Sequence, residues 1–427
     1  MSVNMIVKKE ENVMQMFKRL IIPIIVVLFL FSCSKESNDF TNGSGDKGDW
    51  PKYRGDNGNT GFSNSKAPES NPTDLSENLS TDFNYIVGLG TGFTGTPLVA
   101  DGILLAVAAG NFFSPNDKLT AFDLKTSDLK WSFSSEYGFS NLAISNGVVF
   151  FGFNDKLFAL DIYTGQKKWE ITPSQGIDFS PSVSDGMVFF EGGEFIYAVD
   201  ENSGQERWKF NKGSSNYSFY INDSPPTTEN LVFISGCENC IVDYGLSALN
   251  FLYAIDKYTG QEKWKYKTEK GWHSMKAVAN QTVFFTTVRD GGSSYRYAID
   301  INTGLEKWKL EVDDNVGVES NPAVAYETVF FTTSYPSYLY AYDVKTGNQK
   351  WKVSVGGNYQ DNSPAVANNM IFIGGGTDNY LYALDVATGL EKWKYGNEYG
   401  KYPIFDGPII ANNLVIYIQD GRIHVLK

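Results

Sequence analysis

The chain has 427 residues, 42% of them hydrophobic and 15% aromatic, which is ample for a large buried core. Its net charge of −13 argues against nucleic acid as a partner, because a phosphate backbone is held by the Lys and Arg that neutralise it. The only two histidines, His273 and His424, are too few to suggest a zinc centre.

In chain order, residues 1–32 read as a signal peptide. Phe17-Lys18-Arg19 is a short basic region. Residues 20–31 are an apolar run, too short for the roughly 20 residues that span a bilayer. The run ends in Leu30-Phe31-Ser32-Cys33, which resembles a bacterial lipobox. That resemblance implies acylation of Cys33 and anchoring through the buried acyl chains. In enterobacterial lipoproteins an aspartate after the cysteine signals inner-membrane retention. Ser34 stands there instead, which by analogy implies the outer membrane of a Gram-negative cell envelope. Residues 33–49 read as the lipidated Cys33 and a polar, Gly-rich tether.

The rest, residues 50–427, reads as one repeat domain. The stretch LYAIDKYTGQEKWKY (252–266) returns as LFALDIYTGQKKWEI (157–171), IYAVDENSGQERWKF (196–210) and LYALDVATGLEKWKY (381–395). Its tryptophan falls at Trp131, Trp169, Trp208, Trp264, Trp308, Trp351 and Trp393. A period near 42 residues with strand-like content predicts a propeller or β-solenoid. Residues 363–395 show the unit: four short apolar runs joined by the Asn368-Asn369 turn, a loop, and the turn Asp385–Gly389. Connections this short force antiparallel neighbours, so each unit is a four-stranded meander. Packing meanders radially buries both of their faces.

The motif residues then have structural roles. Asp385 accepts backbone N–H bonds in its own turn, and Gly389 supplies the positive φ that closes it. Trp393 brings an apolar ring and one N–H donor to the seam between units, and Ala383 is small where space is short. The seven tryptophans are therefore read as seam residues. After the seventh unit, residues 408–411, 414–419 and 423–426 give only three strands. Residues 81–86 are an orphan strand ahead of the first full unit. The expectation is an all-β, eight-bladed propeller whose last blade is completed by this N-terminal strand.

Topology sorts the loops. Links between strands one and two, and between three and four, share one face and are uniform turns. Links between strands two and three, and between blades, share the other face and vary, which is where binding usually lives. Three residues before the aligned proline position of each first strand stand Thr94, Phe139, Asp178, Asn222, His273, Glu319, Asp361 and Phe405. The consecutive polar set Asp178, Asn222, His273, Glu319 and Asp361 is the candidate ligand mouth, suited to a cation or a polar ligand. Blade four carries an insertion, residues 236–250, expected to overhang the same mouth. Cys237 and Cys240 within it suit a structural disulfide outside the cytoplasm. Their spacing also matches a redox pair, but such a pair sits at a helix N-terminus that this β context does not offer.

The repeated A-[FLVIY]-D-x-x-[TS]-G-x-x-x-W core, with the opening Trp50-Pro51-Lys52-Tyr53-Arg54-Gly55-Asp56, resembles the PQQ-like β-propeller family. Only Thr126-Ser127-Asp128 lacks the turn glycine. That family includes quinoprotein dehydrogenases and the outer-membrane assembly lipoprotein BamB. The resemblance implies a non-enzymatic, lipid-anchored scaffold that binds protein partners in the envelope, with no cofactor. One alternative it implies is a dehydrogenase using PQQ and calcium. This chain lacks the adjacent Cys-Cys pair often found in those enzymes. A second alternative is a surface binder of glycans through Trp272, Tyr217 or Tyr220. No serine triad or phosphate loop is readable, so no catalytic residue is assigned.

Overall fold

The computed structural model describes Asp49, residues 55–56, 59, 61–70 and 72, and most of residues 93–427. The longest segments outside the description are 1–48, 73–92, 109–116, 214–223, 239–248, 289–293, 313–320, 357–362 and 397–403. All described residues belong to one compact unit, Gly43–Lys427. The expected closing strand, residues 81–86, lies outside the described residues.

Why the chain forms these elements is visible in blade two. Ala143–Ser145, Val148–Phe153, Lys156–Asp161 and Lys167–Ile171 pair in sequence order, all antiparallel. Asn146 and Gly147 join the first two strands with φ of 47° and 71°, a type I′ turn whose twist matches that of the strands. Val149, Phe150 and Phe151 are fully buried, since both faces of this strand meet other blades. Burial of each such side chain contributes about 1.5–3 kcal/mol.

Eight such antiparallel sheets follow one another, and no helix occurs among the described residues. The protein is an eight-bladed β-propeller. First strands stand side by side in blades two and three and from blade five through blade eight, and Phe93–Ala100 of blade one lies against Ile409–Ala411 and Leu414–Gln419 of blade eight. The core is a ring of layers between blades: Phe150 and Trp169 of blade two share a cluster with Val188 and Phe190 of blade three. Phe189 and Trp208 of blade three share the next with Val232 and Tyr253 of blade four.

Two blades depart from the pattern. In blade four the first strand shrinks to a single bridge, Thr227 to Val232, because Pro225 and Pro226 have no N–H to donate. In blade five it comes in two pieces, Trp272–His273 and Ala277–Ala279, both paired with Thr282–Val288.

Candidate functional site

The uniform face is built by the repeated turn. In blade two, Asp161 Oδ1 accepts the N–H groups of Tyr163 and Thr164 and the Thr164 hydroxyl. Its Oδ2 faces Lys168, the residue before the tryptophan. Seven turns repeat this pairing of Asp with Lys or Arg, at 2.6–3.8 Å. In the best-made pairs, the Arg207 guanidinium beside Asp200 and the Lys263 ammonium beside Asp256 hold each carboxyl at about 2. These acids are already satisfied within their own turns.

The motif tryptophans sit between neighbouring blades. Each pairs across the hairpin with the motif alanine, as Trp169 does with Ala159, and a bulge follows in every case. Each indole N–H donates to a carbonyl beyond its own blade at 2.8–3.0 Å. For the first six that carbonyl belongs to the residue after the turn aspartate of the next blade: Ile162, Glu201, Lys257, Ile301, Val344 and Val386.

The sequence puts the candidate mouth on the opposite face. Asp178, Asn222, Glu319 and Asp361 lie outside the described residues, as does Phe405. Thr94 and His273 are drawn into their sheets, where they pair with Val107 and Thr287. Phe139 packs against Phe133, Phe151 and Phe153. His273 is buried, with Nδ1 bonded to Ser235 Oγ at 2.9 Å and Nε2 to Thr268 Oγ1 at 2.7 Å. Burial, with the nearby Lys276 charge, pushes this imidazole down to about 3. It ties blade five to blade four as a neutral ring and presents no free nitrogen.

Near the blade-four insertion, Lys212 and Glu191 form a buried ion pair at 3.1 Å, and the Lys212 carbonyl accepts the N–H of Cys237. Cys237 is disulfide-bonded. Cys240 lies outside the described residues, so its pairing with Cys237 stands as our proposal. Trp272 is described only as backbone, and Tyr217 and Tyr220 not at all.

Two features escaped the sequence reading. The first is a set of polar links between neighbouring blades, made by residues that precede first-strand prolines: Ser180, Ser224, Asn321 and Ser363. Ser180 Oγ accepts the N–H of Asn141, Ser224 Oγ donates to Pro181 O, and Asn321 Nδ2 donates to Ser363 Oγ. The recurring Ser-Pro and Asn-Pro pairs were its signal. The second is Lys257, fully buried where blades two, five, six and seven place Ile or Val. Aligning the repeats on the aspartate exposes it at once.

Among the described residues no cluster of His, Cys, Asp or Glu can hold a metal. The polar groups described where the inner strands begin are hydroxyls, backbone carbonyls and the Asn59 and Asn321 carboxamides; the acids Asp178, Glu319 and Asp361, the residue type a calcium site uses, lie outside the described residues.

Residues 86–176, 138–250, 192–355 and 297–427 match, in overlapping windows, the family described as outer membrane protein assembly factor BamB. The chain belongs to the BamB family. No curated protein sequence matches it. BamB from Moraxella catarrhalis is 17% identical with a TM-score of 0.59, over 84% of this chain and 98% of that one. The quinohemoprotein alcohol dehydrogenase of Comamonas testosteroni is 14% identical with a TM-score of 0.64, over 92% and 82%. The computationally designed protein Ika8 is 16% identical with a TM-score of 0.59, over 79% and 96%. At such identities the likeness is one of fold. An assembly factor, an oxidoreductase and a designed protein share it, so the fold alone does not choose among functions.

Proposed function

We propose that this BamB-family chain is a non-enzymatic scaffold, anchored through lipidated Cys33, that holds protein partners during outer-membrane protein assembly. The family match across residues 86–427 carries the reading. The architecture supports it: the uniform face spends its polar groups on its own turns, and His273 is locked between blades. The variable face, with the insertion after Cys237, is the docking side in this reading.

Native membranes containing the tagged protein test it. Expected are recovery of β-barrel assembly subunits with the chain, and acyl labelling that Cys33→Ser abolishes. Recovery of no such subunit would sink the assembly role. Dye reduction by an alcohol or sugar after addition of PQQ and calcium would overturn the non-enzymatic reading.

A further inference from the structure

Trp393 is the seventh seam tryptophan, and its acceptor is not the residue after a turn aspartate, as it is for the other six. Its indole N–H donates instead to Pro68 O at 3.0 Å. Ala67 is buried in the cluster that holds Trp393. Residues 67–68 thus take, at Trp393, the place that a D-x-x-T-G turn takes at the other six tryptophans.

From there the segment can be followed inward. The N–H of Lys66 donates to Asn413 Oδ1, in the first turn of blade eight, at 3.0 Å. Phe62 makes a parallel bridge with Val366, in the first strand of blade seven. Two backbone bonds of 2.8 Å make the bridge, Val366 N–H to Gly61 O and Ser63 N–H to Val366 O. Asn59 is 1% exposed and donates through Nδ2 to Ser224 O of blade four. Asn368 of blade seven donates to Glu69 at 2.7 Å.

Blade six reaches the same segment through a strained turn. Tyr326 and Glu327 have φ of 49° and 53°, in a type I′ turn that elsewhere in this ring starts with Asn or Asp. A bulky residue at positive φ persists where surrounding contacts over-determine it. The Tyr326 ring meets the Phe62 ring edge-on at 5.7 Å and 89°, and its hydroxyl accepts the N–H of Asn369.

We propose that Asn59 and residues 61–69 are an internal latch of the propeller, joining blades four, six, seven and eight across the axis and taking at Trp393 the acceptor role that a next-blade turn plays at the other six seam tryptophans. The latch is distinct from closure by a last strand, because it acts at inner edges and turns rather than at a fourth strand. It makes the sector of blades six to eight depend on a segment some 300 residues away in sequence.

Hydrogen exchange on the full chain tests it. In the wild type, the amides of Ser63 and Val366 are expected to be protected like those of the blade core. Phe62→Ala should speed exchange about two- to tenfold, the worth of one edge-to-face pair, in residues 61–69, 365–367 and 409–413. Ser182–Ser184 of blade three should not change. Tyr326→Asn relieves the backbone strain yet removes the clamp, and should give the same regional pattern. Free-peptide exchange at Ser63 and Val366 in the wild type would overturn the proposal. So would a uniform rise around all eight blades in Phe62→Ala, or no rise in residues 61–69 in Tyr326→Asn.

Discussion

The backbone of Gly260 lies flat against the indole of Trp208: a Cβ built on it would stand 2.7 Å from Cδ2 of the ring. The same approach, 2.7–2.9 Å, recurs at Gly165, Gly204, Gly304, Gly347 and Gly389, each against the tryptophan of the preceding blade. This glycine therefore meets two demands, a φ near 70° and the absence of a side chain. Gly186 meets only the first, since its φ is 75° and nothing lies within 4 Å of a built Cβ. Gly186→Ala is expected to cost about 1–2 kcal/mol from backbone strain. Gly260→Ala adds an overpacking cost of about 1–3 kcal/mol. Urea midpoints of the two variants check this, and equal losses would refute the ring contact as the reason for glycine.

The same contact explains what the sequence made legible. Six of the seven tryptophans meet an identical neighbour, so a period of about 42 residues carries the ring, the turns and the seam together. Ser127 stands in the one motif turn without the glycine, with φ of 65°. The acceptor of Trp393 was not legible, because Pro68 is 325 residues away and shares no motif with the turns it replaces. Nor was the setting of His273. Aligning first strands on their proline assumes a common starting level, whereas hydrogen-bond register decides it. Blade five starts its first strand early, so His273 pairs with Thr287 inside the sheet.

Lys257 is expected to hold blades three and four together. Its ammonium donates to Thr228 O at 2.8 Å, to Ser184 Oγ at 3.3 Å and to the Asp185 carboxylate. Lys257→Ile supplies the residue that blades two and five use, but leaves the Thr228 carbonyl without its donor. A loss of about 1–3 kcal/mol is expected. Asp185→Asn should cost less, because Lys257 keeps two acceptors. A double-mutant cycle by urea denaturation reads the coupling. Lys257→Ile within about 0.5 kcal/mol of wild type, the usual range for a bland surface change, would contradict this role.

Acid should loosen the uniform face late. Asp200 and Asp256 are held at about 2 by their Arg207 and Lys263 partners and by turn hydrogen bonds. An unfolded aspartate titrates near 3.9. Because the folded values are depressed, this stability is complete above about pH 4 and is lost as pH falls towards 2. Arg207→Ala and Lys263→Ala should each make the unfolding free energy less dependent on pH between about 4 and 2, with no change in that dependence above pH 5. Acid titrations followed by circular dichroism check the window. An unchanged pH dependence in both variants would remove the ion pairs from the account.

His273 should govern a higher window. Its ring is buried, bonded on both sides to hydroxyls, and held down at about 3, against about 6.5 in an unfolded chain. As pH falls below 6.5 the unfolded state takes up a proton that the folded state refuses, so stability drops with pH until about 3. Nitrogen chemical shifts of His273 should stay flat from pH 8 to 4 in the folded protein. His273→Gln should lower stability at pH 7.5, where the neutral imidazole bridges Ser235 and Thr268. The deficit should narrow towards pH 4, because glutamine does not titrate. Unfolding free energies at the two pH values decide it: a deficit that stays constant or widens on acidification means that His273 is protonated in the folded ring and that the neutral bridge between blades four and five is wrong.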